Sequence, residues 1–166
     1  SIIVDHTTTS AELSKEINGL LNSKKAFYID APVSGGESGA ILGELSIMAG
    51  GDKESYVLVK SIIKPYTKFI KHMGPSGSGQ LTKMVNQICI AGLLQALAEG
   101  INFSKKVGLE TDDVFEVVSR GAAQSWQMDN RWKTMTQNKY DHGFAVDLMR
   151  KDLDILLNEA SKSNIN

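Results

Sequence analysis

The sequence has very little cysteine, since Cys89 is the only one among 166 residues. A disulfide framework and a thiolate metal site within this chain are therefore excluded. Cys89 lies in an apolar helical stretch, so we expect a small buried side chain and a reducing, cytoplasmic compartment. The three histidines, His6, His72 and His142, lack the spacing of metal ligands, and we expect no bound metal.

An excess of charge of one sign is missing as well. The chain has 18 Lys and Arg against 19 Asp and Glu, which gives a formal net charge of -1. Such a chain has no overall field that would favour nucleic acid or an anionic membrane. The longest apolar run, residues 88–98, is too short to span a bilayer and is interrupted by Gln95. We expect neither nucleic acid nor a membrane as a partner.

The first 75 residues predict alternating strands and helices. β-Branched runs, alternation and glycine or proline stops predict strands at 2–4, within 25–36, at 44–52 and at 68–74. One helix is expected after a cap at Thr8, Thr9 or Ser10, and another from Lys53 to near Pro65. This order is typical of an α/β or α+β unit.

The rest of the chain predicts helices only. A long helix is expected from Gln80 to about Val107, and a second one, capped by Thr111, ends at Gly121. Further helices are expected at 125–137 and 146–162. The change of character places a domain boundary at residues 74–79. The predicted domains are an α/β domain at 1–75 and an all-α domain at 76–166.

The glycine loop at residues 74–79 separates the two predicted domains. Its glycine spacing fits a P-loop, but Gln80 and Leu81 stand where that motif needs Lys and Ser or Thr. Thr82 stands where a dinucleotide fingerprint would need its third glycine. A nucleoside triphosphate site of the P-loop type is therefore excluded.

Lys83 lies in the predicted long helix that follows this loop. Helical spacing places Lys83 and Gln87 at the head of an otherwise apolar face, with Asn86 beside them. Burial would lower the pKa of Lys83 toward values that suit general acid/base chemistry. The alternative, which spacing alone favours, is a lysine at the rim of the core with its ammonium group in water.

A second glycine cluster follows the strand within 25–36. Ser34, Gly35 and Gly36 lie at the predicted carboxyl end of that strand, where open α/β sheets bind ligands. Successive N–H groups and the Ser34 hydroxyl would suit a carboxylate. Taken alone, the pattern favours an ordinary turn whose glycines supply positive φ.

Four stretches together resemble the β-hydroxyacid dehydrogenase family. This family includes 3-hydroxyisobutyrate dehydrogenase, tartronate semialdehyde reductase and the reductases of glyoxylate and of succinic semialdehyde. They are VDHTTTS, DAPVSGGESGAILGELSIMAGGD, GPSGSGQLTKMVNQ and FAVDLMRKDLDI, in the family's order from Val4 to Ile155. The resemblance implies the C-terminal part of a Rossmann-type nucleotide-binding domain. An all-α domain with one long interdomain helix would follow it.

The resemblance also implies the catalytic and substrate-binding residues. Lys83 corresponds to the catalytic lysine, which exchanges a proton with the substrate hydroxyl group. The segment that binds the substrate carboxylate corresponds to Ser34, Gly35 and Gly36. An amide pair that anchors the substrate corresponds to Asn86 and Gln87. Many relatives carry Asn at the second of these positions, so which amide acts here stays open.

The cofactor side of the site is implied in the same way. Thr8 corresponds to a hydroxyl position near the cofactor, and Lys151 to a lysine that approaches the cofactor from the helical domain. Phe144 and Asp152 correspond to residues that line the same cleft. The cofactor is NAD or NADP, and the residues that distinguish them are expected outside this chain.

The implied activity is an NAD(P)-dependent oxidoreductase that interconverts a small β-hydroxyacid and its semialdehyde, with lysine as general acid/base. The substrate carries a carboxylate, and the enzyme is a homo-oligomer, a dimer or a tetramer. The family's nucleotide-binding βαβ unit and last helices are missing from this sequence. We therefore expect a fragment, truncated at both ends, that alone binds dinucleotide weakly or not at all and is inactive.

Two other functions fit part of the pattern. The first is a catalytically silent relative that serves binding or oligomer assembly. The second is an enzyme similar to 6-phosphogluconate dehydrogenase, which also pairs a glycine turn with a lysine helix. That enzyme would need basic residues for a sugar phosphate, and the Ser34 segment offers none.

Overall fold

A computed structural model describes residues 1–141 and 143–165 of the chain. The strands are β1 Ile2–Asp5, β2 Phe27–Asp30, β3 Val33–Ser34, β4 Leu45–Gly51 and β5 Thr67–Gly74. The helices are α1 Ala11–Asn22, α2 Gly36–Ile41, α3 Lys53–Ile63, α4 Ser78–Lys106, α5 Thr111–Val118, α6 Trp126–Thr136 and α7 Val146–Lys162. A mixed sheet with helices, followed by helices that include one long one, confirms the predicted fold class.

The strands form one sheet of mixed direction. β1 pairs with β2 in parallel, and β4 pairs with β5 in parallel. β2 and β3 both pair antiparallel with β4, and Ile29↔Gly51 and Val33↔Ile47 belong to one continuous register. Pro32 interrupts this strand because proline has no N–H to donate, while its carbonyl oxygen still accepts a bond from the N–H of Met48 at 3.1 Å. β2 and β3 are thus two halves of one predicted strand.

The chain forms two compact units, each with its own core. The first unit comprises Ser1–Gln87 and the chain from Gly143 onward, and the second begins at Ile88. α7 therefore packs with the first unit, where Lys162 near its end forms an ion pair with Glu12 of α1. The predicted division into domains at 1–75 and 76–166 stays a prediction.

Alternation and helical spacing explain both cores. In the first unit, every second residue of β4 from Leu45 is buried, against one face of α3. The buried members of this core are Ile29, Ala31, Leu45, Ile47, Ala49, Tyr56, Val59 and Ile63. In the second unit, Leu97 and Ile101 of α4 pack against Met128 and Trp132 of α6. The indole N–H of Trp132 donates to the carbonyl oxygen of Thr111 at 3.1 Å.

One helix was not predicted, and two local predictions were wrong. The sequence did not indicate α2, because its two glycines hide the helical pattern. Thr111 is the first residue of α5 rather than its cap, because Glu110 occupies the cap position. Cys89 is exposed rather than buried, because it lies nearly opposite the face of α4 that carries Gln87. Apolar neighbours alone therefore did not locate the buried face.

Helix α4 is longer than the apolar run suggested. With 29 residues it is long and apolar enough, by length and composition alone, to cross a membrane. Core helices pass the same test. The first turns of α4 bury Gln80, Lys83 and Gln87, which are polar side chains that a lipid environment would disfavour. Length and composition therefore do not make α4 a membrane helix.

The start of α4 is held by the buried carboxylate of Asp30, at the end of β2. The side chain is 0% exposed and accepts the N–H of Gly77 at 2.8 Å and the N–H of Gln80 at 3.1 Å. Burial raises the pKa of Asp30, and these N–H groups oppose the rise because they favour the carboxylate. The glycine loop thus donates to a protein carboxylate that caps the helix.

Two glycines allow this close approach. A Cβ atom at Gly79 would lie 2.4 Å from the carbonyl oxygen of Met48 and 2.5 Å from that of Asp30. A Cβ atom at Gly50 would lie 2.7 Å from both carboxylate oxygens of Asp30. Both positions therefore need glycine for close contact between backbones rather than for phosphate binding.

Replacing Asp30 with Asn should destabilise the fold. The amide group would turn an NH₂ toward one of the two N–H donors at the start of α4, which leaves a buried donor unpaired. We expect Asp30→Asn to lower the free energy of unfolding by about 1–3 kcal/mol, measured by urea denaturation. The matched control is Asp52→Asn at the exposed cap of α3, where Asn caps equally well. Equal losses in both variants would contradict this assignment.

Adding a methyl group at two glycines of α4 should have opposite effects. Gly79→Ala must displace backbone atoms, so we expect a loss of about 3 kcal/mol in the free energy of unfolding. A Cβ atom at Gly92 meets nothing within 4 Å. Gly92→Ala should therefore increase stability by about 0.5–1 kcal/mol. Thermal and urea unfolding check both, and a neutral Gly79→Ala would show that the close contact is not required.

Candidate active site

Lys83 lies in the second turn of α4 and is 8% exposed. Its ammonium group forms no hydrogen bond or ion pair within residues 1–141 and 143–165. Burial lowers the pKa of Lys83, the carboxylate of Asp152 raises it, and the ammonium group of Lys151 lowers it further. The alternative interpretation required Lys83 to lie at the rim of the core with its ammonium group in water. The structure shows the side chain buried instead.

Gln87 lies one turn beyond Lys83 on the same face of α4 and is 1% exposed. Its Nε2 donates to Oδ2 of Asp152 at 2.6 Å, and its Oε1 accepts from Nδ2 of Asn86 at 2.8 Å. A contact of 3.9 Å joins Nε2 to the sulfur of Met149. Both polar ends of Gln87 are therefore engaged inside the protein.

Lys151 and Asp152 belong to the second turn of α7. Oδ1 of Asp152, which is 5% exposed, lies 3.1 Å from Nζ of Lys151. The same Nζ donates to the carbonyl oxygen of Thr8 at 2.9 Å. The structure thus connects Thr8, Lys151, Asp152 and Gln87 by hydrogen bonds and an ion pair. Two of them, Asp152 and Lys151, act on the pKa of Lys83 in opposite directions.

The loop from Thr7 to Thr9, which follows β1, is held by Gln80. Its Nε2 donates to the carbonyl oxygen of Thr7 at 2.8 Å, and its Oε1 accepts the N–H of Thr9 at 3.1 Å. Gln80 is the residue that stands where a P-loop lysine would be. In the sequence analysis Gln80 served only to reject the P-loop motif. A glutamine at the start of a helix, where the motif requires lysine, was the one feature that pointed to another role for this residue. Its role is to fix the threonine loop beside α4.

The Ser34 turn lies at the other end of the strand that Pro32 interrupts. Ser34 pairs with Ser46 of β4, and Gly35 and Gly36 follow with φ of 135° and 64°. Both glycines adopt the positive φ that a turn requires, and successive N–H groups in such a turn can converge on an anion. No direct hydrogen bond between this turn and Lys83 occurs in the described part of the chain.

The Ser34 turn lies close to the segment that leads into α7. Oε2 of Glu37, which follows Gly36, lies 3.5 Å from the ideal Cβ position of Gly143. Phe144, next to Gly143, is about half exposed. The segments that carry Ser34, Gly35 and Gly36 and the segment that carries Phe144 are therefore neighbours within the first unit.

The histidines take part in the scaffold. Nδ1 of His6 lies 2.7 Å from the carbonyl oxygen of Ala31, and Nε2 of His72 lies 2.8 Å from that of Gly51. His142 lies outside the described residues. Within those residues, no group of three or more His, Cys, Asp or Glu side chains could hold a metal ion.

Two protein-family models match consecutive parts of the chain. Residues 77–166 match the family model described as NAD-binding of NADP-dependent 3-hydroxyisobutyrate dehydrogenase. Residues 1–74 match the model of the NAD binding domain of 6-phosphogluconate dehydrogenase. Together the two models span almost the whole chain.

Individual proteins show the same likeness. The chain is 54% identical to an uncharacterized oxidoreductase of Shewanella frigidimarina, over 98% of this chain and 56% of that protein. It is 35% identical to the 2-hydroxy-3-oxopropionate reductase of Escherichia coli, over 99% of this chain and 56% of that protein. The solved structure of Mycobacterium tuberculosis 3-hydroxyisobutyrate dehydrogenase with L-serine has a TM-score of 0.91 at 27% identity, over 99% of this chain and 59% of that one.

The chain thus spans little more than half the length of the curated relatives it matches. Over that length the fold, the order of the four sequence stretches and the family models agree. The chain belongs to the β-hydroxyacid dehydrogenase family.

Proposed function

We propose that this chain carries the acid/base and substrate-binding residues of an NAD(P)-dependent oxidoreductase that interconverts a small β-hydroxyacid and its semialdehyde. The observation that carries the proposal is the buried Lys83, whose ammonium group has no bonded partner among the described residues. A buried, unpaired charge costs stability, so its presence favours a use in chemistry. The names of the relatives support the same substrate class.

Lys83 exchanges a proton with the substrate in both directions. In oxidation the neutral amine accepts the proton of the substrate hydroxyl group. In reduction the ammonium form returns a proton to the oxygen of the forming alkoxide. The chemistry that NAD or NADP supplies when bound is acceptance and delivery of the hydride. The protein's part is to hold the proton at Nζ of Lys83 and to orient the substrate.

The substrate carboxylate is assigned to the turn of Ser34, Gly35 and Gly36. The positive φ of the two glycines orients successive N–H groups, and the Ser34 hydroxyl adds a donor. Of the amide pair, Asn86 is the better candidate for contact with substrate. Gln87 has both polar ends bonded within the protein, whereas the side-chain oxygen of the half-buried Asn86 has no donor among the described residues.

Two of the residues assigned to the cofactor side fit an anionic dinucleotide. Lys151 provides an ammonium group beside Thr8, and the loop of Thr7 to Thr9 provides hydroxyl groups at the carboxyl end of β1. We assign Thr8 and Lys151 to cofactor binding, with Phe144 at the neighbouring start of α7. Asp152 fits less well, because its carboxylate is buried and both of its oxygens accept from protein donors.

The two other functions have less support. A catalytically silent relative has no need for an unpaired lysine in its interior. An enzyme for a sugar phosphate needs basic side chains at the glycine turn, and the charged residue next to Gly36 is the acidic Glu37. In a silent relative the buried, unpaired Lys83 would lower stability without serving a reaction. In an enzyme for a sugar phosphate the carboxylate of Glu37 would repel the phosphate group.

Removing the Lys83 amine should abolish proton transfer without unfolding the protein. We expect Lys83→Ala to lower kcat about 10²–10⁴-fold in either direction. NAD(P)H absorbance measures the rate in the full-length protein, with glyoxylate or with tartronate semialdehyde, succinic semialdehyde or methylmalonate semialdehyde as substrate. The control is Lys60→Ala at an exposed position of α3. Full activity of Lys83→Ala would disprove the assignment.

The pH dependence should have opposite signs in the two directions. Burial lowers the pKa of Lys83 below its ordinary value of 10.5, so the neutral amine forms at lower pH than in an exposed lysine. Oxidation should therefore speed up as the pH rises through this lowered pKa, and reduction should slow down over the same range. Profiles of kcat/KM in both directions check this, and two profiles with the same sign would contradict it.

We also propose a cytoplasmic homodimer that forms through an exposed side of α4. Leu81, Val85 and Ile88 follow one another at helical spacing, and Val85 is 59% exposed. Val85→Lys should then convert a dimer into a monomer, measured by light scattering during gel filtration. Val57→Lys, on the exposed side of α3, is the matched control and should leave the mass unchanged. An unchanged mass in Val85→Lys would place the interface elsewhere.

A further inference from the structure

Asp152 occupies a position that contact with a cofactor does not explain. It is a carboxylate from α7, 5% exposed, yet its two oxygens face Nε2 of Gln87 at 2.6 Å and Nζ of Lys151 at 3.1 Å. A carboxylate oriented toward a phosphate-bearing ligand would repel it. The hydrogen-bonding capacity of Asp152 is instead directed at two protein groups. Its function must therefore be sought among its neighbours in the protein.

Gln87 fixes where that carboxylate lies. The side chain is almost fully buried, and Asn86 donates to its oxygen at 2.8 Å, which orients the Gln87 amide with its NH₂ toward Asp152. The amide orientation follows from chemistry as well, because a carboxylate only accepts hydrogen bonds. Gln87 lies four residues after Lys83, on the same face of α4. A carboxylate held by Gln87 is therefore held on the face of α4 that carries Lys83.

The charged groups that act on Lys83 in the described part of the chain are Asp152 and Lys151, both on α7. The loop of Thr7 to Thr9, which Lys151 contacts, contributes only neutral groups. The two charges have opposite effects, since the carboxylate favours the ammonium form of Lys83 and the second ammonium group disfavours it. Besides its own burial, which is the largest influence, the pKa of Lys83 thus depends on two charges in one turn of α7.

We propose that Asp152 is a positioning residue: bonded to Gln87 and Lys151, it holds a negative charge on the Lys83 side of α4 and favours the ammonium form of that lysine in the resting protein. Gln87 serves the same end by holding the carboxylate rather than by contacting substrate. The inference deepens the proposed function and rests on it for its meaning in catalysis. The electrostatic part can be tested without any turnover.

The test follows the titration of Lys83 directly in the full-length protein, without cofactor or substrate. Lysines are labelled with ¹³C at Cε, and the Lys83 signal is assigned by its loss in Lys83→Arg. In Asp152→Asn the amide keeps the shape and removes the charge, so the titration midpoint of Lys83 should fall by about one pH unit. An unchanged or raised midpoint would overturn the proposal.

The matched control is Asp154→Asn, which removes the same charge from an exposed position two residues further along α7. The Lys83 midpoint should be the same in Asp154→Asn as in the parent protein. A shift as large as that of Asp152→Asn would show a general charge effect and would contradict a positioned carboxylate.

A second variant keeps the test valid if Asp152→Asn does not fold. Asp152→Ser also removes the negative charge, with a smaller side chain whose hydroxyl oxygen still accepts hydrogen bonds. The Lys83 midpoint should again fall. An unchanged or raised midpoint would overturn the proposal.

The kinetic readout separates this inference from the proposed function. If the midpoints of kcat/KM for hydroxyacid oxidation move with the NMR midpoints, both hold. If the NMR midpoints move as expected and Lys83→Ala retains full activity, the positioning role of Asp152 stands and the proposed catalytic role of Lys83 fails. If Lys83→Ala is inactive and the NMR midpoint of Asp152→Asn does not move, the proposed function stands and this inference fails.

Discussion

The contact between the Asp30 carboxylate and the start of α4 is the constraint on which the candidate site depends. It fixes the first turn of the helix against the ends of β2 and β4, because Gly77 and Gln80 donate to a carboxylate at the end of β2. Once that turn is fixed, Lys83 follows less than one turn later with its side chain inside the first unit. Gln80 in the same turn holds the threonine loop after β1. The lysine and the loop are thus positioned by one buried acid.

Burying the carboxylate of Asp30 costs free energy, and the residues around it lower this cost. Burial disfavours the charged form, while N–H groups at the helix start favour it, so the two effects on the Asp30 pKa oppose each other. The N–H groups can approach only because Gly50 and Gly79 lack a Cβ atom. Gly50 in β4 and Gly79 in α4 therefore have a structural explanation. They serve a site in which the anion is part of the protein.

Local pattern predicted much of the fold and only part of the site. The face of α4 that carries Lys83, Gln87, Leu97 and Ile101 follows from steps of three and four residues, and all four are buried. The alternation in β4 was predictable in the same way, and the cap of α1 is Ser10, one of the three candidates Thr8, Thr9 and Ser10. The exposure of Cys89 was not predictable from the local pattern, because α4 is apolar on more than one side. The bond from Gln87 to Asp152 joins residues far apart in the chain, and no local pattern encodes such a contact.

The return of α7 to the first unit completes the environment of Lys83. Burial is the largest influence on the pKa of Lys83 and lowers it, which favours loss of the proton. α7 adds one carboxylate, which opposes that loss, and one ammonium group, which assists it and also bonds to Thr8. The pKa of Lys83 therefore depends on its own burial and on two charges that α7 contributes. The group that exchanges the proton and the charges that act on it lie on separate elements, α4 and α7.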